Sequence, residues 1–169
     1  MPPEVLDRAA VALAEAGVAI MTNAPGDRAF PPILRLRAAG VNVFAGNDNI
    51  RDTWSPYGNG DMLQRAMLIG YRSGFYTDAE LGIALDMATE AGAVVLEKSN
   101  YGLKVGNEAT FIALKAPNAA AAVAGVPSDR FVVRRGELCA DASAVRAFSR
   151  RSRAILSLVV ALTEQVGGT

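Results

Sequence analysis

Asp48, Asp52 and Trp54 lie close together in the stretch VFAGNDNIRDTW, residues 43 to 54. A carboxylate just past an apolar run can serve as a general base or as a metal ligand, but only with partners. The chain offers few: it contains no histidine, which removes the commonest general base, the catalytic triad and the usual imidazole ligands of zinc or iron. By type alone, Asp48 reads as a turn carboxylate and Trp54 as a core residue. Asp52 either faces a ligand or, the simpler reading, holds its loop through backbone hydrogen bonds. Cys139, the only cysteine, has no neighbouring base and reads as a small buried apolar group.

The elements that must position these residues come from a chain of 169 residues, 51% apolar, long enough to bury a core. Lys plus Arg and Asp plus Glu are both 17, so no global field draws in nucleic acid or an anionic membrane. The start, MPPEVLDRAA, lacks the basic and apolar regions of a secretion signal, and a cytoplasmic location is expected. The apolar run from Ala154 to Leu162 is far short of the roughly 20 residues of a membrane-spanning helix.

Apolar residues recur at near-helical spacing from Glu4 to Ala16, with Gly17 to end the helix, and VAIMT (Val18 to Thr22) reads as a strand apolar on both faces. A second helix, from Pro31 or Pro32 to Ala39, and a second strand, Val41 to Ala45, repeat the unit at an offset of 23 residues, Ala16-Gly17-Val18 falling on Ala39-Gly40-Val41. Consecutive units of this kind predict a parallel α/β sheet, as a barrel or as an open sheet. Asn23 and Asp48 then sit at the carboxyl ends of strands, where such folds gather functional residues. Asn23 either faces the site or satisfies its loop, and the loop is the reading preferred here.

Helices are predicted from Met62 to Arg72 and from Asp78 to Ala91, the latter opened by a capping box of Thr77 and Glu80. Strands follow at Ala109 to Leu114, Phe131 to Arg134 and Glu137 to Ala140, the last two joined by a turn at Arg135 and Gly136. The Ala-rich APNAAAAVAGVP is a short helix or a loop. Residues 143 to 166 read as a helix, with Arg150, Arg151 and Arg153 on its solvated face. The glycine loops AGND and YGNG lack phosphate-binding spacing.

The segment Gly46 to Leu63 resembles the metal-dependent amidohydrolases, in particular the branch of cytosine deaminase and N-isopropylammelide isopropylamidohydrolase. Gly46, Asp48 and Asn49 match a G-x-D-[DN] element at the end of the eighth barrel strand, and Asp52, Trp54, Pro56 and Gly58 match the D-x-W and P-x-G that follow. Asn100 to Leu114 resembles the return from barrel to β-sandwich, and FVVRRGELCA the last hairpin. The resemblance implies a fold made of the C-terminal part of a (β/α)8 barrel, about strands seven and eight, over residues 1 to 98. A β-sandwich segment over 99 to 141 and a helical tail over 142 to 169 complete it.

By the same resemblance, Asp48 is the strand-eight carboxylate that binds the catalytic metal and takes a proton from the attacking water, while Asn49 and Trp54 lie beside a cytosine-like or triazine-like ring. The complete enzyme would carry one divalent metal, zinc or iron. Departures bear on this chain directly. The family's histidine ligands lie on earlier strands, and Thr110 stands where the family has Asp. The expectation is therefore a hydrolase of non-peptide C–N bonds represented by its C-terminal portion, binding no metal tightly by itself. The alternative is a non-catalytic fragment that folds by self-association or with a missing N-terminal portion.

Overall fold

A computed structural model describes residues 2–26, 29–139 and 158–160. Helix α1 (Pro3–Glu15) begins with Pro3 in its first turn, where the missing N–H costs nothing, and ends where Gly17 turns left-handed at φ 65°. That turn lets Val18 N–H reach back to Leu13 O at 2.9 Å. The chain continues into β1 (Ile20–Thr22), α2 (Ile33–Ala38) and β2 (Val43–Ala45). Gly40, at φ 89°, closes α2 in the same way, with Val41 N–H on Leu36 O at 3.1 Å.

The sequence repeat reappears as strand register. Strands β1 and β2 pair in parallel with Ile20 opposite Val43, Met21 opposite Phe44 and Thr22 opposite Ala45, each pair 23 residues apart. Thr22 is buried at 7% exposure, but Met21 is 47% exposed, so β1 is not buried on both faces as its apolar run predicted. Successive side chains of a strand point to opposite faces, and among the described residues the face of this two-stranded sheet that carries Met21 is left open while Thr22 is buried on the other.

Helix α3 (Met62–Ser73) is capped by Asp61, whose side chain accepts from Leu63 N–H at 3.0 Å. It buries Leu63, Ala66 and Ile69 against β2 and its neighbours. Burying the Leu63 and Ile69 side chains stabilises by roughly 1.5–3 kcal/mol each. Helix α4 (Asp78–Met87) starts at the expected capping box, Thr77 accepting from Glu80 N–H while Glu80 accepts from Thr77 N–H. The predicted single helix to Ala91 breaks, however, and α5 (Glu90–Val95) is a separate element. At the break, Thr89 has φ −131° and ψ −98°, and its hydroxyl donates to Leu85 O at 2.8 Å. That back-bonding competes with the regular helix ladder.

Strand β3 (Phe111–Leu114), helix α6 (Ala119–Gly125), β4 (Arg130–Arg134) and β5 (Glu137–Leu138) follow. The Ala-rich stretch is a helix because Asn118 caps it, accepting from Ala121 N–H at 2.8 Å. Arg135 and Gly136, at φ 52° and 82°, make the two-residue turn of the β4–β5 hairpin. Thr110 serves this turn: its hydroxyl accepts from Arg135 N–H at 3.0 Å and donates to Glu108 at 2.7 Å.

Two expectations need correction. Leu158–Val160 form strand β6, antiparallel to β3, rather than part of a helix. Val159 and Val160 are β-branched and favour the pleated geometry, and the free edge of β3 supplies hydrogen-bond partners. The rest of the tail predicted as helical, with Arg150, Arg151 and Arg153, lies outside the described residues. Cys139 is exposed rather than buried, since it sits just past the short β5, beyond the turn of the hairpin.

Buried Ala10, Leu36, Val43, Leu63, Ile69, Met87, Leu114 and Val123 belong to one apolar cluster. The core thus runs without a break from α1 to α6.

Candidate functional site

Asn23 follows β1 directly and Asp48 lies three residues past β2, so parallel pairing of those strands puts both at the same end of the sheet. Asn23 Nδ2 donates to Asp48 Oδ2 at 3.3 Å. The loop reading of Asn23 therefore gives way to a contact with the candidate carboxylate. Gly46 shapes the approach: a Cβ there would lie 3.0 Å from Met21 Sδ, tighter than side chains normally tolerate. Gly46 N–H also extends the pairing to Thr22 O at 3.1 Å.

Asp48 is exposed and adopts φ 54°, a left-handed conformation that only glycine takes freely. Asn49, one residue on, bonds within the loop that follows. Its Nδ2 donates to Asp52 Oδ2 at 2.5 Å. Asp52 also accepts from Trp54 N–H and Ser55 N–H, both at 2.9 Å, so it braces its own loop as expected. The Asn49 amide, then the backbone N–H groups, hold its carboxyl below the usual aspartate range. Trp54 stands at the tip of this loop, 84% exposed, and Tyr57 beside it is 79% exposed. The site residues thus divide into an Asn23–Asp48 pair at the strand ends and an Asn49–Asp52–Trp54 loop above it.

Arg65 was missed by the sequence reading. Its guanidinium is buried, donating from Nε to Asn47 Oδ1 at 2.9 Å and from a terminal nitrogen to Asn23 O. Burial pulls its pKa below the usual arginine value, and the Asp48 charge opposes that pull. A signal existed: Arg65 lies four residues before buried Ile69, on the helix face that should be apolar. A cleft of about 390 Å³ lies beside α2 and the end of α3, lined by Phe30, Pro32, Leu34, Ser73 and Phe75 among others; Asp48 is not part of its wall.

The amidohydrolase family model matches residues 1–145. The chain belongs to the amidohydrolase family. An N-isopropylammelide isopropyl amidohydrolase of Pseudomonas sp. strain ADP is 33% identical over 138 residues, covering 81% of this chain and 34% of the relative. Among solved structures, N-isopropylammelide isopropylaminohydrolase from Burkholderia multivorans superposes with a TM-score of 0.78 at 41% identity, covering 82% of this chain and 35% of the other. A 5-methylcytosine deaminase from Klebsiella pneumoniae shares the fold at a TM-score of 0.71 and 23% identity, covering 83% and 37%. The chain spans about a third of the length of these relatives.

Amidohydrolases generally use a divalent metal. The donors of this chain do not fit that requirement. Among the described residues no three of His, Cys, Asp and Glu gather closely enough to hold an ion, and the whole sequence has no histidine and one cysteine. A single carboxylate is a weak anchor for zinc or iron, which favour several nitrogen or sulfur ligands. The purified chain, incubated with zinc or ferrous iron and desalted, should retain far less than one metal per chain by elemental mass spectrometry. Stoichiometric retention would mean that its residues form a metal site after all.

Proposed function

We propose that this chain is the C-terminal share of a hydrolase of non-peptide carbon–nitrogen bonds, with β1 and β2 as the seventh and eighth strands of a (β/α)8 barrel. Its substrate is a cyclic amidine- or amide-type small molecule, a triazine-like or cytosine-like ring. The observation that carries this reading is Asp48, exposed at the end of a parallel strand in a left-handed conformation and held there by Asn23. Asp48 accepts a proton from the attacking water and delivers it to the leaving nitrogen, while Asn49 and Trp54 border the ring. Asp48 also contributes one ligand to the metal site of the whole enzyme, and the remaining ligands come from residues outside this sequence.

Reconstitution tests this directly. The chain is co-expressed with the preceding two-thirds of the Burkholderia multivorans relative, and amine or ammonia release is measured from N-alkylated ammelides and from cytosine. Turnover by the pair, absent from either part alone, supports the reading. A stably assembled pair that turns over neither ring class overturns it. One observation favours the alternative of a non-catalytic, self-associating piece: Val18, just before β1, and Met21, within it, are 44% and 47% exposed, and β1 pairs on one side alone among the described residues. Under that alternative the chain forms oligomers by itself or assembles with the N-terminal part, in either case without turnover.

A further inference from the structure

We infer that Arg65 is the positioning residue of this site: its guanidinium ties the two strand-end loops together and so holds Asp48 in its left-handed conformation, against Asn23. The inference rests on the proposed role of Asp48.

The two loops carry backbone that needs holding. Ala24 at φ 68° and Asp48 at φ 54° both occupy the left-handed region without being glycine. Such residues persist where the surrounding structure over-determines them. Arg65 supplies that constraint from α3. One donor takes the Asn23 carbonyl, just before Ala24, and another takes the Asn47 side chain, just before Asp48. Asn47 in turn donates to Gly60 O at 3.3 Å and lies against Met62 Sδ, which fastens the far end of the same loop to the start of α3.

Arg72, seven residues further along α3 and so on the same helix face, donates to Ala24 O and stacks over the Phe30 ring at 4.7 Å. The β1–α2 loop is thereby gripped at two consecutive carbonyls by one helix. Arg65 reaches both loops. The planar fork of an arginine makes this bridge; a lysine at the same place has one ammonium and cannot span both acceptors with the same geometry. Burial adds a second reason for specificity, because a guanidinium there must keep its hydrogen bonds or leave costly unpaired donors.

The experiment compares the full chain with Arg65→Lys and Arg65→Met by solution NMR. The readouts are the strong intraresidue amide–Hα contact of Asp48, diagnostic of positive φ, and the side-chain amide resonances of Asn23 and Asn47. Amides of the Thr77–Glu80 capping box serve as the fold control. The expected result is loss of the Asp48 signature and displacement of the Asn47 amide in both variants, with the capping-box amides unmoved. If Arg65→Met fails to fold, Arg65→Lys decides, since it retains charge and stem. Retention of the Asp48 signature in a folded variant overturns the inference. These readouts need no turnover, so a failed reconstitution of activity and a failed positioning role give different results.

Discussion

Asp48→Asn lowers amine or ammonia release by the reconstituted enzyme by roughly 10²–10⁴-fold, the usual share of a general acid–base group. The expectation follows from what the substitution keeps and what it removes. Asn tolerates the left-handed backbone better than most residues, so the φ of 54° is retained, and the side chain stays close in size. What disappears is the ability to take up and return a proton, together with the negative charge that the proposed role offers the metal of the whole enzyme. Asp48→Ala is a poorer probe, since it also releases Asn23, whose Nδ2 donates to this carboxylate. Steady-state kinetics on Asp48→Asn should show a fall in kcat with little change in the melting temperature. Wild-type turnover in that variant would remove Asp48 from the chemistry.

Asp61→Ala should destabilise the chain by about 2–3 kcal/mol, less than the ~3–5 kcal/mol expected on breaking a fully buried pair. Asp61 does two things at once. It caps α3 through Leu63 N–H, and its carboxylate pairs with both terminal nitrogens of Arg130 at 2.8 Å each. The side chains of Arg130 and Asp61 are only 15% and 21% exposed, so solvent screens the pair less than a surface ion pair. Asp61→Asn retains the cap and loses the charge, and the difference between the two variants in urea unfolding separates the contributions.

The pH dependence has a definite sign. Burial alone would raise the Asp61 pKa, but the Arg130 hydrogen bond and charge, with the N–H groups of Leu63 and Gln64, bring it below its usual value. The stability it contributes is present above the unfolded value of about 3.9 and is lost as pH falls through the lower folded one. The wild type should therefore lose stability relative to Asp61→Asn in that acid window. Equal acid sensitivity of the two would show that the pair contributes nothing.

Much of the scaffold was legible because its signals are local. The glycines at 17 and 40 and the 23-residue offset give both the helix ends and the parallel register of β1 on β2. The Thr77–Glu80 box and the Arg135–Gly136 turn are likewise written in adjacent residues. What failed depended on distant partners. The strand at Leu158–Val160 exists because β3 offers an edge, which no periodicity within the tail reveals. The break at Thr89 comes from one hydroxyl choosing a carbonyl. At the candidate site, the motif is what points to Asp48, and turn chemistry is what points to Asp52 as the brace of its own loop. Asn23 and Arg65 act across 25 and 18 residues of sequence, on Asp48 and on Asn47, and only the folded chain brings them together.

Helix α3 is fastened at one end by Asp61, which also takes Arg130 from the β4 strand, and along its length Arg65 and Arg72 hold the loop after β1. The hairpin and the strand-end loops consequently share one support, and a fluctuation that frees either must loosen the same helix. The expected result is that they open as one unit, with backbone amides in the hairpin exchanging at the same rate as those of the Asp48 loop.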